Sequence, residues 1–292
     1  MWKKPSGTCS GYWGTTSPRA RSDTSATSCP KTYGSSGRKP RLPDSPDRTV
    51  QVAIGTCGFA ESQARTWEDF DLVEIQQTFY EPPRPATAAK WRASAPGRFF
   101  FTLKAWQLVT HPASSPTYRR LRTPLSERDR ALAGAFRWNR VTRMAWARTL
   151  EIAVTLEARA VLFQTPASFL PSTENLDNLQ RFFTEIERPP GLRMVFEPRG
   201  EAWSDTLLRR LVGELGLVHA VDPFLRQPVG RGLRYFRLHG RPAYHYGYRY
   251  TDEDLKHLAG RLNRAWPNWV LFNNASMAED ARRFRRLLQS RM

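Results

Sequence analysis

In VEIQQTFYEPP, residues 73–83, the side chains Glu74, Gln76, Thr78 and Tyr80 recur at every second position, with Val73 and Ile75 between the first of them. An extended chain sends such alternate residues to opposite faces, so one face is polar and the other aliphatic. Other short apolar runs close on chemistry-bearing residues of the same kind. Lys104 ends RFFFTLK, Gln164 ends ARAVLFQ, and Glu197 ends RMVFE with Arg199 just beyond it. Asp222 ends LVHAVD, Arg237 and His239 close LRYFRLHG, and Asn273 stands in WVLFNN. Two carboxylates on different strands suit general acid-base work if one is held ionised by a cation and the other is raised in pKa by burial. Glu74 and Glu197 are therefore the expected acid and base, with His239 as the third proton-transfer candidate. The expected substrate-binding set is Gln76, Thr78, Tyr80, Lys104, His111, Gln164, Arg199, Asp222, Arg237 and Asn273.

Lys104 would form a Schiff base if neighbouring cations depressed its pKa, but an ion-pair partner or anion clamp is the commoner use, and the clamp is preferred. Glu74, Glu197, Asp222 and His239 are permissible divalent-metal ligands. Three interleaved cations oppose a metal, and neither HxH nor HExxH spacing occurs, so no metal site is assigned and no cofactor is indicated. Gly55 and Gly58 permit a close backbone approach to a ligand, although GTCG is too short a signal for a phosphate loop. AYHYGYRY, residues 243–250, is the expected lid, with Tyr at alternate positions and Gly247 for flexibility. The same residues would also serve as an ion-paired plug. A barrel interior is more readily filled with Val, Ile and Leu, so ionisable groups gathered at one end favour a site.

The elements that must position these residues are short strands alternating with amphipathic helices. Strands are expected at 52–56, 72–77, 98–104, 159–164, 193–198, 217–222, 233–240 and 269–274, and helices at about 86–94, 138–158, 173–187, 203–215, 251–265 and 276–289. The region from 105 to 157 is a long polar and helical insertion. Eight strands in about 240 residues predict an α/β fold, a single (β/α)8 barrel of TIM type spanning 50–292, with its site at the C-terminal strand ends. The connection after strand 1 is short, and the one after strand 6 lacks a convincing helix.

Residues 1–49 are rich in Ser, Thr, Gly, Pro and Arg and show no periodicity, so they are expected to be disordered or to follow from a start codon assigned too far upstream. No apolar run is long enough to span a bilayer and no secretory leader is evident, which predicts a cytoplasmic protein with no membrane partner. Cys9, Cys29 and Cys57 form no CxxC pair, and their odd number argues against a disulfide framework. The net charge is +18. Its excess is spread along the chain, with knots at RRLR (119–122) and RRFRR (282–286) on helical segments. A solvated helix face is the expected role of these knots. Non-specific nucleic-acid binding through them and the basic N-terminal tract is the alternative to a small polar ligand, anionic or polyhydroxylated, at the barrel mouth. No oligomeric state is assigned.

GTCGF (55–59), VEIQQTFYEPP, ATAAKWRASAP (86–96), FTLKAWQLVTH (101–111), VLFQTPASF (161–169), FEPRG (196–200), YFRLHG (235–240) and LFNN (271–274) occur in this order. Together they resemble the conserved blocks of the uncharacterised YecE-like family, "domain of unknown function seventy-two". The resemblance runs from Val50 to about Arg286 and implies a TIM-barrel-like fold with no established activity. Many members carry Ser where Cys57 stands, Asn where Gln76 stands, and Glu-x-Arg-His where this chain reads Glu197, Pro198, Arg199, Gly200. The missing histidine removes one acid or base.

Overall fold

The computed structural model describes residues 51–290; the expectations for residues 1–49 lie outside it. Eight strands form a closed, wholly parallel barrel in chain order. They are β1 (Val52–Cys57), β2 (Leu72–Ile75), β3 (Phe100–Lys104), β4 (Ala160–Gln164), β5 (Arg193–Glu197), β6 (Val218–Val221), β7 (Arg234–Leu238) and β8 (Asn268–Phe272). The helices are α1 (Gln63–Asp69), α2 (Gln77–Tyr80), α3 (Pro85–Ser94), α4 (Gln107–Thr110), α5 (Glu127–Leu132), α6 (Arg140–Thr155), α7 (Thr173–Glu185), α8 (Asp205–Leu215), α9 (Asp252–Arg261) and α10 (Met277–Gln289). A 3-10 turn covers Pro116–Arg120. The fold is the expected (β/α)8 barrel.

Alternation along each strand divides the apolar residues into two cores. One row, including Val73, Phe101, Phe163, Phe196 and Phe236, packs outward under the helices. The other, with Leu72, Phe100, Leu162, Val195, Tyr235, Trp269 and Leu271, fills the barrel interior. The inward row continues toward the C-terminal ends as Cys57, Glu74, Lys104, Gln164, Glu197 and Arg237. Register holds neighbours of this row level, with Cys57 opposite Glu74 and Gln164 opposite Glu197.

Side-chain caps start several of the outer helices where the sequence places Ser, Thr or Asn. Ser172 accepts from Asn175 N at 3.3 Å at the head of α7, and Thr251 with Asp254 forms a capping box on α9. Asn139 caps α6 through Val141 N and Thr142 N. The stretch 58–71 between β1 and β2 accommodates the short helix α1, and the β6–β7 connection has no helix among the described residues.

Strand 2 departs from expectation. It ends at Ile75, because Gln76 turns to φ −81°, ψ −32° and the chain enters α2. Thr78 Oγ1 then donates back to Ile75 O at 2.9 Å, which favours the turn over further strand. Thr78 and Tyr80 therefore lie on a helical turn, and the polar row of β2 stops at Gln76.

Candidate functional site

The centre of the C-terminal mouth is Arg237, which is 1% exposed. Its Nε and Nη2 donate to Glu74 Oε1 at 3.1 and 2.8 Å, and its Nη1 donates to Glu197 Oε2. One guanidinium thus serves two buried carboxylates from strands on different sides of the barrel, a geometry that its planar fork permits. The pairing raises the Arg237 pKa against the opposing effect of burial. It also overcomes burial at Glu197, whose pKa is lowered to about 2 by Arg237, then His239, Arg199 and the Gln164 hydrogen bond.

Glu74 is fully enclosed. Besides Arg237, its Oε1 accepts from Gln76 Nε2 and from Cys57 Sγ at 3.5 Å, and its Oε2 accepts from Tyr235 OH at 2.7 Å. Tyr235 OH also lies 3.0 Å from Thr102 Oγ1. Burial first, and then the neighbouring carboxylate, raises the pKa of both Cys57 and Tyr235. Neither Tyr235 nor Thr102 was expected at the site, although each precedes a predicted residue, Arg237 or Lys104, by two positions and so shares its face.

Above this layer lies a cavity of about 880 Å³ over the ends of β4 to β7, whose walls include His111, Gln164, Glu197, Arg199, Asp222 and Tyr244. Gln164 spans the mouth: its Nε2 donates to Glu197 Oε1 at 2.8 Å and its Oε1 accepts from Lys104 Nζ at 2.8 Å. Lys104 also sits 4.1 Å from the centroid of the Phe79 ring. Among the described residues no carboxylate oxygen approaches the Lys104 Nζ within 4.0 Å. The reason is that Arg237 takes both glutamates. Burial, reinforced by Arg237, lowers the Lys104 pKa to about 7.

His239 Nε2 lies 3.1 Å from Arg237 Nη1. A guanidinium only donates, so Nε2 accepts here and the ring N–H is on Nδ1. That Nδ1 is buried without a hydrogen-bond partner, 3.5 Å from Asp222 Oδ2. Asp222 instead holds backbone, accepting from His239 N at 2.9 Å and Phe224 N at 3.0 Å. Arg199 Nε is likewise buried without a hydrogen-bond partner, 4.0 Å from Glu197 Oε1, and its guanidinium lies 4.5 Å from the ring centroid of Tyr244. The Tyr244 ring also packs against His239, at 5.2 Å between centroids. His111 bonds Thr110 Oγ1 through Nδ1 at 2.8 Å, and burial with the nearby Lys104 and Arg199 depresses its pKa to about 3.

The remaining predicted residues lie apart from this cluster. Thr78 is buried against its own backbone; Tyr80 stacks under Arg120 at 3.6 Å and gives its carbonyl to Trp106 and Gln107. Asn273 is half-buried, with its backbone N bonded to Leu238 O; its neighbour Asn274 is the buried one, pinning Tyr248 O and Asp280. In the expected lid, Tyr244 and Tyr246 are exposed, whereas Tyr250 is buried, accepting from Gly240 N at 2.8 Å. Gly55 meets a neighbouring strand rather than a ligand, because a Cβ there would stand 2.0 Å from Leu72 O. Of the basic knot on α10, Arg282 pairs with Glu61 and Asp69, Arg283 with Asp252 and Asp280, and Arg285 with Asp71. Among the described residues no group of three or more His, Cys, Asp or Glu is placed to hold a metal, and no helix is long and apolar enough to cross a membrane.

Fold and mouth together define a (β/α)8 barrel with a buried ion-paired constellation under an open C-terminal cavity. The chain belongs to the family described as "Protein of unknown function DUF72", whose model matches residues 62–292. It is similar to a DUF72 family protein from Thermotoga maritima MSB8, with 19% identity over 82% of this chain and 99% of that one, at a TM-score of 0.61. A DUF72 family protein from Enterococcus faecalis V583 gives 20% identity over 83% and 99% of the two chains, also at 0.61. A D-psicose 3-epimerase whose structure was determined in the presence of D-fructose shares the fold at 12% identity, 82% and 99% coverage and a TM-score of 0.51. No curated protein matches the chain.

Proposed function

We propose that the C-terminal mouth binds a small polar ligand, anionic or polyhydroxylated, and acts on it by acid-base chemistry. The observation that carries this reading is the pair of buried nitrogens without a hydrogen-bond partner, Arg199 Nε and His239 Nδ1, beside an ionised Glu197 at the cavity. A buried donor left without an acceptor costs about 1–3 kcal/mol, so an incoming oxygen that reaches Arg199 Nε on the cavity wall gains that amount back. Tyr244, 48% exposed at the rim, offers a ring on which a sugar or a planar group stacks.

The roles within this reading follow from accessibility. Glu74 has both oxygens engaged under Arg237 and Tyr235, which suits a support for the guanidinium better than a group that meets substrate. Glu197, on the cavity wall, is too acidic to be a strong base near neutrality and serves to orient and to stabilise positive charge. His239 presents a donor. Lys104 is the group whose pKa lies near the working range of proton transfer.

The test is a thermal-shift panel of neutral sugars, sugar phosphates and small dicarboxylates on the full chain, on Arg199→Ala and on Glu197→Gln. At least one compound raises the midpoint of the wild type, and both substitutions abolish that shift. Equal shifts in all three proteins would sink the reading. Salt-sensitive oligonucleotide binding that survives both substitutions would instead favour the nucleic-acid alternative, which the carboxylate partners of Arg282, Arg283 and Arg285 make less attractive.

A further inference from the structure

Lys90, Lys104 and Lys256 are the lysines of the described residues, in a chain that otherwise relies on arginine for positive charge. Lys90 and Lys256 are exposed; Lys104 is 6% exposed, at the end of β3 and facing inward. The buried cation that holds the carboxylates is an arginine, Arg237, so charge pairing does not explain a lysine here. An arginine cannot lose its proton or act as a nucleophile in a protein, whereas a lysine deprived of counter-ions can.

Among the described residues Lys104 has no counter-ion in direct contact, and only the Phe79 ring and one amide oxygen face its amine. Among these residues its Nζ has no carboxylate within 4.0 Å, one hydrogen bond to Gln164 Oε1 at 2.8 Å, and the Phe79 ring at 4.1 Å. Glu197 accepts from Gln164 Nε2, and this fixes the amide so that its oxygen faces the amine. Gln164 lines the cavity and Lys104 does not, so the amine lies one hydrogen bond behind the wall that a ligand would meet.

We propose that Lys104 is a nucleophile that forms an imine with a small aldehyde or ketone ligand in the mouth. The inference rests on the reading of the mouth as a ligand site and adds the chemical class of the ligand. The Nζ lone pair attacks the carbonyl carbon, and the carbonyl electron pair moves to oxygen. A proton then passes from nitrogen to oxygen to give the carbinolamine. Cleavage of its C–O bond releases water and leaves C=N; hydrolysis by the same water reverses the step, and no oxidant or reductant takes part. Gln164 orients the amine and Arg199 and His239 Nδ1 offer donors to the ligand's oxygens. Lys104 being about half neutral at pH 7, its free-amine fraction exceeds that of an exposed lysine on the order of a thousandfold.

The experiment is reductive trapping of the full chain at pH 7 with glycolaldehyde, and separately glyoxylate, in the presence of cyanoborohydride, followed by peptide mass mapping. The reduced adduct accumulates at Lys104 at least about tenfold faster than at Lys90 or Lys256 in the same molecules, and the Lys104 rate reaches half its maximum near pH 7. Labelling of Lys104 no faster than of the two exposed lysines with either probe overturns the inference, and no variant that fails to fold can confuse the comparison. A compound of the thermal-shift panel that binds and is lost in Glu197→Gln, with Lys104 unlabelled, leaves the mouth as a site and removes only the imine.

Discussion

Replacing Lys104 by Met tests whether a buried, uncompensated amine sits in this barrel. The pKa falls from 10.5 to about 7 because burial and Arg237 disfavour the charged form. Since the folded value lies below the unfolded one, the native state releases its proton first. Between about pH 7 and 10.5 the unfolded chain therefore holds the extra proton, and stability rises with pH across that window. Below pH 7 both states are protonated and the full cost of the buried charge is present. From pH 6 to pH 9 the linkage gives about 3 kcal/mol, its slope approaching 1.36 kcal/mol per unit above the folded pKa. The Phe79 ring favours the cation by about 1 kcal/mol, which leaves roughly 2 kcal/mol.

The assay is urea unfolding of the wild type and Lys104→Met at pH 6, 7, 8 and 9, read as the difference in stability at each pH. Other titrating groups are common to both proteins, and His111, whose depression owes most to burial and only then to Lys104, titrates below the range assayed. Loss of the Gln164 hydrogen bond and the change in packing shift the difference by an amount that does not follow pH. At pH 6 the wild type carries its largest handicap, and by pH 9 it recovers roughly 2 kcal/mol relative to the variant. A difference that stays flat from pH 6 to 9 would refute the reasoning, since it would mean that the amine is neither unpaired nor depressed.

The parity of the inward row was legible because a barrel strand has a strict period of two and its C-terminal end faces the mouth. That logic placed Glu74, Lys104, Gln164, Glu197 and Arg237 on one inner surface from sequence alone, while Cys57 joined them only through the β1–β2 register. It failed where a local bond outweighed strand propensity, as Thr78 does by returning its hydroxyl to Ile75. It also could not assign partners. Three carboxylates against three cations allowed an ion-paired network without saying who pairs with whom, and closure of the barrel brings β7 within reach of both β2 and β5, so Arg237 takes two carboxylates. The consequence for Lys104, a cation without an anion, follows from shape and not from composition. In the same way Gly55 looked like a ligand contact, and only the β1–β2 register reveals that the space beside it belongs to Leu72 O.

Gly55→Ala should cost about 3 kcal/mol in thermal or urea unfolding, because the added Cβ collides with a backbone carbonyl that cannot swing away; a loss under about 0.5 kcal/mol would show that β1 and β2 separate easily. Arg237→Met asks the complementary question of the charge network. It strips the guanidinium from Glu74 and Glu197 together, and breaking a buried pair from one side costs roughly 3–5 kcal/mol because the abandoned carboxylates remain desolvated. Neutralising those carboxylates in the same chain, with Glu74→Gln and Glu197→Gln, should return most of that loss, since no buried charge is then left without a partner. Both sets of unfolding curves are needed. A large loss that the glutamines do not restore would mean that Arg237 acts through packing, and a loss under about 1 kcal/mol would mean that the two glutamates reach water or protons by another route.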